Sequence, residues 1–214
     1  MAYGRDADVY ALDDSRVLRR YRHGGDATAE VAYMRHVRAH GFPAPEVFRA
    51  EGADMELARL SGPTMLTAFM SNELDTVEAA EMLADLLWRL HALPALTTSD
   101  PAVRVLHLDL HPDNVILTPE GPVVIDWRNA TEGDPAVDLA MTALIMAQVA
   151  LGDDPLMAEG AKAAMYAFRE RVGRTILAGL PEAAALRGVN PTLTVTELDQ
   201  LDQAVALVAE VKRR

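Results

Sequence analysis

The stretch His107-Leu108-Asp109-Leu110-His111-Pro112-Asp113-Asn114-Val115-Ile116-Leu117-Thr118-Pro119-Glu120-Gly121-Pro122-Val123-Val124-Ile125-Asp126-Trp127 decides how the chain is read. Two short apolar runs, Val115 to Leu117 and Val123 to Ile125, flank a Pro and Gly turn and predict a β-hairpin. Pairing symmetrically about Glu120 sets Val115 against Ile125, and one further step sets Asn114 opposite Asp126, where facing Cβ atoms stand about 5 Å apart. An amide oxygen and a carboxylate then meet at the open end of the hairpin. This donor set suits a hard divalent cation such as Mg²⁺, which takes oxygen ligands and keeps room for substrate phosphates. Asp109, in the loop before the hairpin, is free to act as a base.

The order D-x-x-x-x-N, then Asp after an apolar strand, is the protein-kinase arrangement of catalytic Asp, metal-binding Asn and metal-binding Asp. In detail the stretch resembles the aminoglycoside phosphotransferase and choline kinase-like family more closely. Protein kinases carry Arg after the His and Phe-Gly after the second Asp, whereas this chain has Leu108 and Trp127. The segment Gly133-Asp134-Pro135-Ala136-Val137-Asp138-Leu139-Ala140 is also similar to that family's downstream element. The resemblance implies an α+β, two-lobed protein-kinase-like fold, with a small β-rich N-terminal nucleotide-binding lobe over residues 1–60 and a mainly helical catalytic and substrate-binding lobe over 61–214.

The same resemblance implies transfer of the γ-phosphate of ATP (or GTP), with Mg²⁺, to a hydroxyl of a small molecule such as an aminoglycoside, amino alcohol or sugar. In this reading Asp109 orients and deprotonates the acceptor, while Asn114 and Asp126 hold metal. His107, Asp134 and Asp138 are supporting residues: His107 bonds within the loop, Asp134 caps the helix starting near Pro135, and Asp138 bonds back to the catalytic loop.

The N-terminal residues extend this scheme. Residues 8 to 12 and 16 to 21 read as a hairpin, preceded by Tyr3-Gly4-Arg5-Asp6-Ala7 in the place of a phosphate-covering turn with a single Gly. Arg19 stands two positions after Val17, where a kinase-like strand carries the phosphate-binding Lys; Arg can fork onto phosphate or carboxylate oxygens. Asp26 reads as the N-cap of a helix to about His40, with the apolar stripe Ala27, Val31, Met34 and Val37. Glu30 lies at the edge of that stripe, and the resemblance supplies Arg19 as its ion-pair partner. Strands at 46 to 49 and 55 to 60 end at Ser61-Gly62-Pro63, so Ala58 to Leu60 fall at the hinge whose backbone would hold the nucleotide base.

Further along, apolar periodicity predicts helices at 73 to 92, 135 to 151, 155 to 178 and 195 to 212. His91 reads as structural, bonded to a carbonyl or favoured by the helix dipole.

Composition bounds the rest. Half of the 214 residues are apolar and none is cysteine, so disulfides and thiolate chemistry are excluded. No signal peptide is evident, and the longest uncharged apolar stretch, Leu139 to Leu151, is shorter than the roughly 20 residues of a membrane span. A soluble, cytoplasmic protein is the expectation. Of the net charge of −12, residues 61 to 139 carry 13 acidic against 3 basic side chains. That field attracts Mg²⁺ and argues against a nucleic-acid partner, although Glu73, Asp75, Glu78, Glu81 and Asp85 also fit a solvated helix face. In residues 140 to 214, 9 acidic and 8 basic side chains nearly cancel, which does not mark a heavily acidic acceptor cleft.

Two other functions fit parts of the pattern. One is a kinase-like nucleotide-binding module without turnover, suggested by the single Gly in the loop and by Arg at the Lys position. The other is a metal-dependent hydrolase using His107, Asp109, His111 and Asp113, which Pro112 disfavours by interrupting a regular strand.

Overall fold

The computed structural model describes residues 2–3, 7–22, 24–191 and 193–210. Strands β1 (Ala2–Tyr3), β2 (Ala7–Ala11), β3 (Arg16–Tyr21), β4 (Val47–Glu51) and β5 (Asp54–Ala58) form one antiparallel sheet in the order β1-β2-β3-β5-β4. β1 pairs with β2 in the register Ala2↔Val9, and residues 4–6 lie outside the described residues. The expected phosphate-covering turn therefore receives no structural description.

Helix α1 (Thr28–Ala39) crosses between β3 and β4, burying Val31, Met34 and Val37 together with the preceding Ala27. Its N-cap is Ala27, one residue after the expected Asp26. Asp26 still works at this end: its Oδ1 accepts from the Thr28 N–H at 2.9 Å, an Asx-type turn that leads into the helix without capping it.

The second lobe is helical. Helix α4 (Pro135–Ala150) runs through its centre, and every residue from Ala136 to Gln148 is buried. A helix covered on all sides is apolar around its circumference, and the three polar side chains in this span, Asp138, Thr142 and Gln148, are each hydrogen-bonded. Around it pack α3 (Thr76–His91), α5 (Pro155–Val172), α6 (Ile176–Gly188) and α8 (Leu201–Ala209), with short α2 (Met65–Met70) and α7 (Val195–Asp199) at the edges. Two small antiparallel pairs, β6 (Arg104–Leu106) with β9 (Thr131–Gly133) and β7 (Val115–Thr118) with β8 (Gly121–Val124), carry the central loop.

Three expected helices differ in extent. The one at 73 to 92 starts at Thr76, because Asp75 accepts from the N–H groups of Val77 and Glu78 while Glu78 returns the bond, a complete capping box. The acidic residues of this segment are all exposed, and none lines the central cleft. The span 155 to 178 breaks at Gly173, whose φ of +73° ends α5, and the chain re-enters helix as α6. Helix α6 escaped the pattern because it contains Gly179 and Pro181. Gly179 is required by contact, since a Cβ there would lie 2.1 Å from the Ala136 carbonyl oxygen at the start of α4. The last expected helix is divided at Gln200 into α7 and α8.

The hairpin register also differs, by one residue. Thr118 and Gly121 close a two-residue turn over Pro119-Glu120, with the Thr118 hydroxyl donating to the Gly121 carbonyl at 2.8 Å. The pairs are therefore Val115↔Val124 and Ile116↔Val123, and Asn114 stands opposite Ile125, whose N–H donates to the Asn114 carbonyl at 3.0 Å. Asp126 leaves the strand in a left-handed conformation, φ 62° and ψ 67°. A backbone turn, not strand alternation, aims its side chain.

Candidate active site

Between the lobes lies a cleft of about 1300 Å³, larger than the 300–1,000 Å³ usual for a single ligand and roomy enough for a nucleotide with an acceptor. Ala7, Val9, Ala11, Val17 and Leu57 give it an apolar side. Arg19, Glu30, Ala58, Leu60, Asp109, Asn114 and Asp126 all line it, so the residues singled out for nucleotide, metal and base are gathered around one space.

Arg19 is the hub. Its Nη1 donates to Glu30 Oε1 at 2.6 Å, the pairing expected from the resemblance, and its Nη2 donates to Asp126 Oδ1 at 2.5 Å. The second bond joins strand β3 to the end of the β7–β8 hairpin across the cleft. Glu30 is 5% exposed and also accepts a bond from the Tyr21 hydroxyl. Burial works against the charge on Arg19, but attraction to Asp126 and Glu30 exceeds it and raises the guanidinium pKa. Burial pushes the Glu30 carboxyl up, opposed by Arg19 and Tyr21. Arg128, just after Asp126, lies over the Tyr21 ring at 4.7 Å and closes the same cluster.

At the hinge, the Ala58 N–H donates to Glu46 O at 2.9 Å and the Arg59 N–H to Ser15 O at 2.8 Å. Those two donors are committed to the sheet, which leaves Leu60 as the hinge residue beyond the ladder. Gly62 follows with φ +148°, and a Cβ there would meet the Leu117 carbonyl oxygen at 2.0 Å, so the chain just past the hinge runs against β7 with no room for a side chain.

The loop bearing Asp109 is held from beneath by Asp138, which is completely buried. Its Oδ2 accepts from the His107 N–H at 2.9 Å and its Oδ1 from the Leu108 N–H at 2.8 Å. His91 Nε2 lies 3.0 Å from Oδ2, so the partner of His91 is this carboxylate and not a carbonyl. Burial alone would raise the Asp138 pKa, but bonds from His91 and the His107 backbone hold it below the usual carboxylate range. Leu108, gripped by Asp138, has φ +59°, a conformation that costs a non-glycine residue roughly 1–2 kcal/mol. Strain held by fixed surroundings is characteristic of functional loops.

His107 is also fully buried. Its Nε2 lies 3.1 Å from Ile125 O and its Nδ1 accepts from the Asp109 N–H at 3.2 Å, so one neutral tautomer satisfies both contacts. Burial lowers its pKa. The ring packs edge-on against Trp127, centroids 4.8 Å apart, and Trp127 in turn meets Phe42. Asp134 caps α4, accepting from the Ala136 N–H at 2.9 Å with Pro135 in the first turn.

Asn114 Nδ2 donates to Asp109 O at 2.9 Å and lies 3.1 Å from His111 Nε2. With the donor end of the amide so engaged, its oxygen is the end left to accept, and the half-buried Asp126 carboxylate, bonded to Arg19 through Oδ1, is a second oxygen donor lining the cleft. Oxygen donors of these two kinds suit Mg²⁺, which binds through one or two protein ligands plus substrate phosphates. The four residues of the hydrolase pattern do not form a metal centre: both His107 nitrogens are engaged inside the loop, and the described residues contain no group of three or more His, Cys, Asp or Glu able to hold a metal.

Two residues at the cleft had no signal in the motif. Arg187 of α6 places Nη1 3.9 Å from Asp109 Oδ1, and Gln148 of α4 accepts from Arg187 Nε at 2.6 Å. Nothing local marks them, because they reach the site only through the packing of α6 on α4.

Known proteins share the fold described above. The profile of the phosphotransferase enzyme family matches residues 2–102 and 63–180. Thiamine kinases from Salmonella paratyphi B and Salmonella newport are 51% identical over 35 residues, which is 16% of this chain and only 13% of theirs. Among solved structures, aminoglycoside phosphotransferase APH(4)-Ia, as a thermostable mutant in ternary complex with AMP-PNP and hygromycin B, superposes with a TM-score of 0.64 at 16% identity, covering 98% of this chain and 90% of that one. A choline/ethanolamine kinase family protein from Mesorhizobium loti gives 0.61 at 15% identity, covering 98% and 87%. The fold is thus the α+β, two-lobed protein-kinase-like fold, and the chain belongs to the phosphotransferase enzyme family.

Proposed function

We propose that this chain transfers the γ-phosphoryl group of ATP or GTP, with Mg²⁺, to a hydroxyl of a small molecule. The observation that carries the reading is the convergence of Asp109, Asn114, Asp126 and the Arg19–Glu30 pair on one cleft, with Arg19 bonded directly to Asp126. Residues 1–60 form the nucleotide-holding lobe, and residues 61–214 the lobe for catalysis and acceptor binding.

In this scheme the apolar sheet face takes the base, Leu60 meets it at the hinge, and Arg19 contacts phosphate oxygens while Glu30 fixes its fork. Asn114 and Asp126 hold the cation, which when bound supplies charge neutralisation along the phosphates. Asp109 orients the acceptor hydroxyl and takes its proton. The hydroxyl oxygen forms the new bond to phosphorus, the bond from the γ-phosphorus to the bridging oxygen breaks, and the nucleoside diphosphate departs with that electron pair. Most of the rate enhancement comes from positioning, since the phosphoryl transition state asks little covalent chemistry of the protein.

The test is ADP release from Mg-ATP across a panel of hydroxylated metabolites, thiamine, choline and aminoglycosides, with Asp109→Asn and Asp126→Ala alongside. Acceptor-stimulated release that both substitutions abolish is expected; full activity in either variant overturns the scheme. The direct Arg19–Asp126 bond also fits a module that binds nucleotide without turnover. That reading predicts ATP-induced thermal stabilisation with no stimulated release on any acceptor.

A further inference from the structure

Asp109 is approached from the acceptor side by a buried cation that comes from a distant part of the chain. Arg187 sits in the last turn of α6, 8% exposed, with Nη1 3.9 Å from Asp109 Oδ1. It is itself held: Nε donates to Gln148 Oε1 at 2.6 Å, and the Gln148 amide donates to the Glu197 carbonyl at 3.0 Å. Helices α4, α6 and α7 therefore fix where this guanidinium can be. On the other oxygen, Asn114 Nδ2 stands 3.4 Å from Asp109 Oδ2, so the carboxylate lies between a cation and an amide. The 3.9 Å separation is an ion-pair contact beyond hydrogen-bond length, so it acts through charge and volume.

We propose that Arg187 is a positioning residue for phosphotransfer, whose guanidinium, fixed by Gln148, sets the rotation of the Asp109 carboxylate toward the acceptor hydroxyl. The proposal rests on the phosphotransfer reading for its catalytic consequence, but not for the contact itself. Arg187 on Oδ1 and Asn114 on Oδ2 face the carboxylate from two sides, and a misplacement of about 1 Å is enough to cost on the order of 10²-fold in rate. It also explains why α6 must press against α4 through bare glycine at Gly179: that close approach sets the helix that carries Arg187.

Arg187→Met keeps the stem and removes the charge, whereas Arg187→Lys restores a charge without the fork. ADP release from Mg-ATP, measured without acceptor and with the best acceptor of the panel, should fall about 10- to 100-fold in kcat for Arg187→Met, with KM for ATP changed less than about two-fold. Arg187→Lys should recover part of the loss. A residue that only supports the fold would lower thermal stability and leave kcat of the folded fraction unchanged, which overturns the proposal. Independently of turnover, urea unfolding of wild type, Arg187→Met, Asp109→Asn and the double variant should show coupling of about five-fold or more in the unfolding constant. Effects that multiply to within two-fold refute the contact. If wild type releases no ADP on any acceptor, the phosphotransfer reading fails, and the unfolding cycle still decides whether Arg187 holds Asp109. Should Arg187→Met not fold, Gln148→Glu, which keeps an acceptor for Nε, and Gln148→Met, which removes both that acceptor and the donor to the Glu197 carbonyl, carry the same comparison between them.

Discussion

Replacing Asp138 by Asn tests whether the strained loop bearing Asp109 depends on one buried carboxylate. Asp138 accepts at Oδ1 from the Leu108 N–H and at Oδ2 from the His107 N–H, with His91 also at Oδ2. An amide has one oxygen, so whichever way it turns, its NH₂ faces at least one backbone N–H in a site with no solvent. An orphaned buried N–H costs about 1–3 kcal/mol, and replacing charge-assisted bonds with neutral ones removes roughly another 1 kcal/mol. The loss should therefore be about 2–4 kcal/mol, which for a chain of this length lowers Tm by roughly 5–15 °C. Because Asp109 follows Leu108, whose φ of +59° that bond maintains, kcat for ADP release should fall as well. Thermal and urea unfolding give the stability, and coupled ADP detection gives the rate. A folded Asp138→Asn protein with Tm within 2 °C of wild type and unchanged kcat would refute the reasoning.

The other expected outcomes follow from single contacts. Arg19→Met strands Glu30, whose side chain is 4% exposed, and should destabilise by about 3–5 kcal/mol while weakening ATP binding. Adding Glu30→Gln should restore stability in a thermal melt but not affinity in a nucleotide titration. Gly62→Ala drives a Cβ toward the Leu117 carbonyl at a φ of +148°, so urea unfolding should show a loss of at least about 2 kcal/mol. For pH, burial holds His107 neutral in the fold, whereas in the unfolded chain it protonates below its ordinary 6.5. The unfolded state then binds the extra proton, so stability present above pH 6.5 falls as pH drops. His111, pushed by burial down to about 4, adds to the slope until it too protonates in the native state. Urea midpoints at pH 7, 6 and 5 should decline, and His107→Gln should flatten the decline.

What the sequence alone determined is local and chemical. The D-x-x-x-x-N loop, the apolar pair of strands and the second Asp carried the resemblance to the family, which in turn implied the fold class; a motif within one loop and hairpin is fixed by few bonds. The capping residue Asp134 and the helix that follows it were legible for the same reason. Asp138 and the Arg19–Glu30 pair came through resemblance, and their contacts are present.

What only the tertiary structure decided are features in which distant segments meet or one backbone angle rules. The hairpin register turned on whether the turn holds two residues or three, and the left-handed φ of Asp126 has no marker in its own side chain. Helix α6 was hidden because Gly179 and Pro181 have poor helix propensity, which packing on α4 overrides. Arg187 and Gln148 were invisible for the same reason: their place beside Asp109 exists only once α4 and α6 are packed, and no periodicity within either helix encodes what lies across from it.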